Sequence, residues 1–211
     1  MTLITHFQSN VPLSCYLLLF CLGGTLTGGC DGESNGLVLS LQPSYASTDL
    51  QTDKDLTGTW ITEDGDLKMR FEEEEDKVYK LTEIEIDGQI ERSGSFDVHL
   101  IRLGSSWFAD FLPTGDIPAD SAFAQMHFLR AHTIARVDLS HDDLGLAFLS
   151  DTWLKKKIKE QTVDIPHREI EGTLLLTGTT EEFQDLIYLH SDDDAAFAEE
   201  INFHRQEEED Q

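Results

Sequence analysis

From residue 56 onward, apolar and polar side chains alternate in short runs separated by turn-forming residues. Leu67, Met69 and Phe71 alternate with Lys68, Arg70 and Glu72, the pattern of a strand with one buried face and one wet face. Residues 56–62 and 78–86 flank that run as further strands. Asp64-Gly65 and Asp87-Gly88 fall between runs, and Asp-Gly tolerates the positive φ that tight hairpin turns need. Phe96, Val98 and Leu100 alternate with Asp97 and His99 in a strand that extends towards Leu103. Residues 107–112 are apolar on both faces, Trp107, Ala109 and Phe111 opposing Phe108 and Leu112. Pro113, Gly115 and Pro118 break the chain into a loop. Leu129, Ala131, Thr133, Ala135 and Val137 then share one side of a strand over 127–139, and residues 144–149 follow a His141-Asp142-Asp143 turn.

The period changes after residue 150. Ser150-Asp151 caps a helix from Thr152 to about Gln161, with Trp153, Leu154, Lys157 and Ile158 at helical spacing. Residues 170–177 read as a strand. Thr179 and Glu182 form a capping box, each side chain serving the other's free backbone amide, and open a helix carrying Phe183, Leu186, Ile187 and His190. Residues 201–205 read as a closing strand. About seven or eight strands joined by short turns imply an antiparallel meander, because antiparallel neighbours need only short connections. The expected fold is α+β and β-dominated: a strand meander forming a partial or closed barrel, with two helices in the C-terminal half.

The first thirty residues follow another rule. Leu13 to Leu22 is an apolar run, followed by Gly23, Gly24, Thr25, Thr27, Gly28 and Gly29. A run of about 7–15 apolar residues ending in small ones is the layout of an export signal, and is shorter than the ~20 residues of a membrane span. Leu26-Thr27-Gly28-Gly29-Cys30 resembles a bacterial lipobox, with Thr27 and Gly28 in place of the usual Leu and Ala or Ser. The resemblance implies cleavage before Cys30, lipidation of its thiol, and a protein lipid-anchored in the cell envelope; plain secretion is the alternative. The expected organisation is a signal peptide over 1–29, a flexible tether over 30–55 and a single β-rich domain over 56–205. An acidic tail over 206–211 follows. Leu37 to Leu41 is the tether's apolar patch, with the option of docking as an added strand.

Gly58 and Trp60, at the head of the meander, resemble the first-strand Gly-x-Trp signature of lipocalin-like proteins. In that family the Trp plugs the base of a small barrel and the Gly lets the chain bend. The resemblance implies a non-enzymatic binding or accessory module, its partner a small apolar ligand or an envelope protein.

Charge narrows the range of partners. The chain has 41 Asp and Glu against 15 Lys and Arg, a net charge of −26, with no charged residue before Asp31. Such a surface repels phosphate backbones and excludes nucleic acid as a partner. With Cys15 and Cys21 in the signal, Cys30 is the one cysteine left, so core packing must hold the domain without an internal disulfide.

Candidate chemistry is sparse, and no cofactor, metal ligand or catalytic residue is assigned. His127, His132 and His141, with His99 from another strand, are the histidines that a hydrolase or metal enzyme would draw on. They match no zinc spacing, and an enzyme would need three or more of them, with nearby acids, in one cleft. Gly104-Ser105-Ser106-Trp107 lacks the Gly-x-Ser-x-Gly elbow of a serine nucleophile. Asp192-Asp193-Asp194 and Glu72 to Glu75 do not fit an EF-hand loop. Lys155, Lys156, Lys157 and Lys159 form the one basic cluster, read as the wet face of an amphipathic helix.

Overall fold

The computed structural model describes residues 36–115 and 128–207. The alternating runs become β3 (Gly58–Thr62), β4 (Leu67–Glu73), β5 (Tyr79–Asp87), β6 (Ile90–Leu103), β7 (Ser106–Pro113), β8 (Thr133–Leu139) and β9 (Asp143–Phe148). Each pairs antiparallel with the next. The last strand, β12 (Ile201–Arg205), inserts between β9 and β3 and pairs antiparallel with both. The result is a closed eight-stranded antiparallel barrel, and closure leaves these strands no free edge. The Asp-Gly turns sit where expected, Gly65 at φ 77° and Gly88 at φ 63°.

Alternation separates two cores. Trp60, Met69, Phe71, Tyr79, Leu81, Val98, Leu100, Phe111, Leu144, Leu146 and Phe203 share the inward parity and are buried. The outward residues Ile101, Phe108, Ile134, Ala147 and Leu149 are buried too. They pack into a second cluster with α1 (Asp151–Lys159) and α2 (Thr180–Leu189), through Trp153, Leu154, Phe183 and Ile187. Leu174 and Leu176 complete it from a small sheet, in which β1 (Leu39–Ser40) runs parallel to β11 (Thr173–Leu176) and β11 pairs antiparallel with β10 (His167–Ile170). A strand apolar on both faces must be covered on both, which explains residues 107–112: Ala109 and Phe111 line the barrel while Phe108 faces the helices. Ser150 caps α1 by accepting from Trp153 N, and Thr179 and Glu182 form the capping box of α2.

Three expectations need correction. The described part of the 30–55 segment is not a free tether. Leu37 bridges to Ser150, β1 joins the small sheet, and β2 (Leu50–Gln51) pairs with β6. Val38 and Leu50, 3% and 7% exposed, supply the apolar burial that holds it there, so docking of the 37–41 patch is the arrangement found. The strand placed at 170–177 is a hairpin, β10 and β11, turning at Glu171 and Gly172 with φ 50° and 84°. The strand beginning near Phe96 begins at Ile90. The proposed signal, Cys30, and residues 208–211 of the acidic tail lie outside the described residues.

Candidate functional site

The two ends of the barrel are built differently. At one end the chain enters β3 from a single helical turn at Lys54–Leu56. Trp60 is fully buried, and its indole N–H donates to Leu56 O at 2.9 Å. Arg205, opposite Trp60 in the register, lays its guanidinium 4.2 Å from the indole ring centroid. Its Nε donates to His141 O at 2.6 Å, Nη1 to Thr57 O at 2.8 Å, and Nη2 to Asp55 O. Gly58 sits at φ 134°, and a Cβ there would fall 2.5 Å from Arg205 Nη1. That glycine is therefore required twice, for its backbone and for the space. Four carbonyls, one guanidinium and one indole meet at this base with every named donor used.

At the opposite end the inward-facing residues Thr62, Phe96, Thr133, Phe148 and Ile201 are only half-buried. Between base and mouth, on the inner face of β5, stands Glu83. It lies in register with Met69 on β4 and Gly94 on β6 and is 6% exposed. Its Oε1 has no hydrogen-bond partner. Its Oε2 lies over Gly94, where a Cβ would come within 2.9 Å. Burial, then the charge of Glu85, push the carboxyl up to about 7, against the Gly94 backbone N–H, which favours the charged form. Arg92 is opposite Glu85 in the register, 4.0 Å from that carboxylate, and both are substantially exposed.

Against known protein families, curated proteins and solved structures, the chain finds no match.

The histidines reach different places. His99 and His132 come together around Asp110, on the outer face of the barrel under residues 40–45. Asp110 is 0% exposed. Its Oδ2 accepts from the Ser44 N–H at 2.8 Å and the Ser44 hydroxyl at 2.7 Å, and its Oδ1 meets His132 Nδ1 at 2.6 Å. The His99 ring stacks on Tyr45, centroids 4.4 Å apart, with its Nε2 3.3 Å from the Tyr45 hydroxyl. Burial holds His99 below its ordinary value, although Asp110 and Asp97 oppose it. Burial, with Asp110 and Asp97, raises Tyr45 to about 12. His141 is exposed at the base turn, 3.7 Å from Asp55, and His127 lies outside the described residues.

A nucleophile relay places His between Ser and Asp, so that the ring takes the hydroxyl proton. Here the acid stands between the two, and the Ser44 hydroxyl spends its proton on Asp110. The wiring suits a latch that fastens residues 40–45 to the barrel. Among the described residues no group of three or more His, Cys, Asp or Glu is placed to hold a metal ion.

Glu73, Glu74, Glu75 and Asp76 rim an open surface hollow of about 890 Å³ with Lys80 and Asp97, and Lys80 is bonded to Asp97. The lysines of α1 divide by position. Lys155 pairs with the buried Asp151 at 2.9 Å, and Lys157 lies 5.7 Å from the Trp153 ring centroid. No helix among the described residues is long and apolar enough to cross a membrane. Sequence reasoning passed over Glu83, Asp110 and Arg205. Parity was the available signal for Glu83, because Tyr79, Leu81 and Glu83 fall on one side of one strand. Asp110 stood alone inside an apolar run.

Proposed function

We propose that this chain is a non-enzymatic binding module of a bacterial envelope, lipid-anchored through Cys30, whose barrel takes a small apolar molecule at the end away from Trp60. The observation that carries the reading is the difference between the barrel's ends. An eight-stranded barrel is just wide enough to be filled by its own side chains or to hold one small ligand. At one end Trp60 is fully buried and tied to Arg205 and the backbone carbonyls around it, while Phe96, Phe148 and Ile201 face inward at the other end and keep part of their apolar surface. Apolar side chains left part-exposed inside a concave wall retain the hydrophobic free energy that an apolar occupant would release. The Leu26–Cys30 segment supports the anchor.

The test uses N-phenyl-1-naphthylamine, a neutral apolar fluorophore that the protein's charge does not repel. Saturable, blue-shifted fluorescence at one probe per chain is expected. It should be lost on Thr133→Trp, which puts bulk at the mouth, with the circular dichroism unchanged. A linear, non-saturating signal would overturn the binding reading. An intact mass of the chain from a bacterial envelope, expected to begin at an acylated Cys30, tests the anchor separately.

A further inference from the structure

Resting on that binding reading, we infer that the occupant is an apolar molecule carrying a cationic amine, and that Glu83 is the group that selects it. An apolar wall alone would be served by a neutral residue at this position. The chain instead buries a carboxylate among Met69, Leu81 and Phe96 on the barrel's inner side, where taking a charge out of water is costly unless it is paired. The protein leaves Oε1 without a donor. The other oxygen packs close over Gly94, where a Cβ would press on both Glu83 Oε2 and the Phe96 ring at 2.9 Å, so the glycine is what lets the carboxylate sit at this depth.

Nothing charged on the neighbouring strands answers this carboxylate. Its register partners are Met69 and Gly94. The basic group on the same inward parity of the neighbouring strand, Arg92, reaches Glu85 and Asp87 at 4.0 and 3.9 Å and forms no ion pair with Glu83. Glu85, two residues towards the mouth on the same inward parity, adds a second negative charge and lies on the path a ligand would take. An alkylammonium has the matching form. Its N–H groups would meet Oε1, its charge would offset the buried carboxylate, and its chain would lie on the half-buried apolar wall. A fatty acid or other anion has the opposite form and is repelled by both glutamates.

The experiment is calorimetric titration of the full-length protein at pH 8 with two probes of equal length, octylamine and 1-octanol, in about 0.15 M salt to screen the surface charge. The amine is expected to bind at least tenfold more tightly than the alcohol. Glu83→Gln should remove that preference while leaving octanol binding within about twofold, and Glu85→Gln, a more exposed carboxylate on the same face, should change it less than threefold. If octylamine and octanol bind equally, or Glu83→Gln weakens both alike, the amine assignment is overturned and the apolar-binding reading stands. If neither probe binds, the binding reading itself falls and takes the inference with it. If Glu85→Gln alone abolishes the preference, the selecting group is not Glu83.

Discussion

Asp110 and Glu83 are two carboxylates buried in one barrel wall, facing opposite ways, and the protein treats them differently. Asp110 points outward beneath residues 40–45, and each of its oxygens meets a close donor: Ser44 twice, His132 once. Glu83 points inward with one oxygen unpartnered. Burial is common to both, so burial alone does not explain either. The count of donors does. A fully supplied buried acid is a structural joint, whereas an under-supplied one is a standing cost that a folded protein keeps at sites where something else completes it.

The contrast predicts opposite signs on mutation. Asp110→Ala leaves the Ser44 amide, the Ser44 hydroxyl and His132 Nδ1 without their acceptor, and should cost about 3–5 kcal/mol in urea unfolding at neutral pH. A midpoint within error of wild type would end the claim that Asp110 is a joint.

Glu83→Gln should stabilise. The carboxyl titrates at about 7 in the folded chain against an ordinary value of 4.5. Between those values the folded chain holds a proton that the unfolded chain has released, so stability contributed by this group falls as pH rises through the window. The variant should therefore gain up to about 3 kcal/mol over wild type at pH 8 and almost nothing at pH 4.5. A gain that is equal at both pH values would mean that the ionisation of Glu83 is not its source.

The smallest effect belongs to Ser44→Ala. It removes one of three donors to Asp110 and leaves the backbone one in place, for a loss of about 1.5 kcal/mol. A loss as large as that of Asp110→Ala would show that the Ser44 hydroxyl alone fastens the segment.

The barrel itself was legible because each of its strands carries the cue that forms it. Leu67, Met69 and Phe71 declare a face by alternation, and Gly65 and Gly88 take the positive φ that their turns require. The docked 37–51 segment was legible only in the apolar patch Leu37 to Leu41, since its support comes from partners far along the chain: Leu39 pairs with Leu175, Ser44 with Asp110, Leu50 with Ile101. The Gln, Pro, Ser, Thr and Asp residues between Leu41 and Leu50 carry no local sign of such contacts. Trp60 was visible as a motif, but its platform was not, because Arg205 lies 145 positions away and its acceptors are backbone carbonyls that no side-chain pattern reveals. Glu83 was visible in principle, yet one acid at an inward position reads as an edge effect until its neighbours are known.

The insertion of β12 between β9 and β3 sets an order of events for folding. Seven barrel strands come first along the chain, and both terminal edges of that sheet stay unpaired while residues 149–200 are made. Exposed edges invite pairing with other chains. Five residues near the end, Ile201–Arg205, stitch the two edges together and carry the arginine that lies over Trp60. A chain that stopped at residue 200 would keep most of its apolar residues and both helices, and would be a sticky open sheet in place of a barrel.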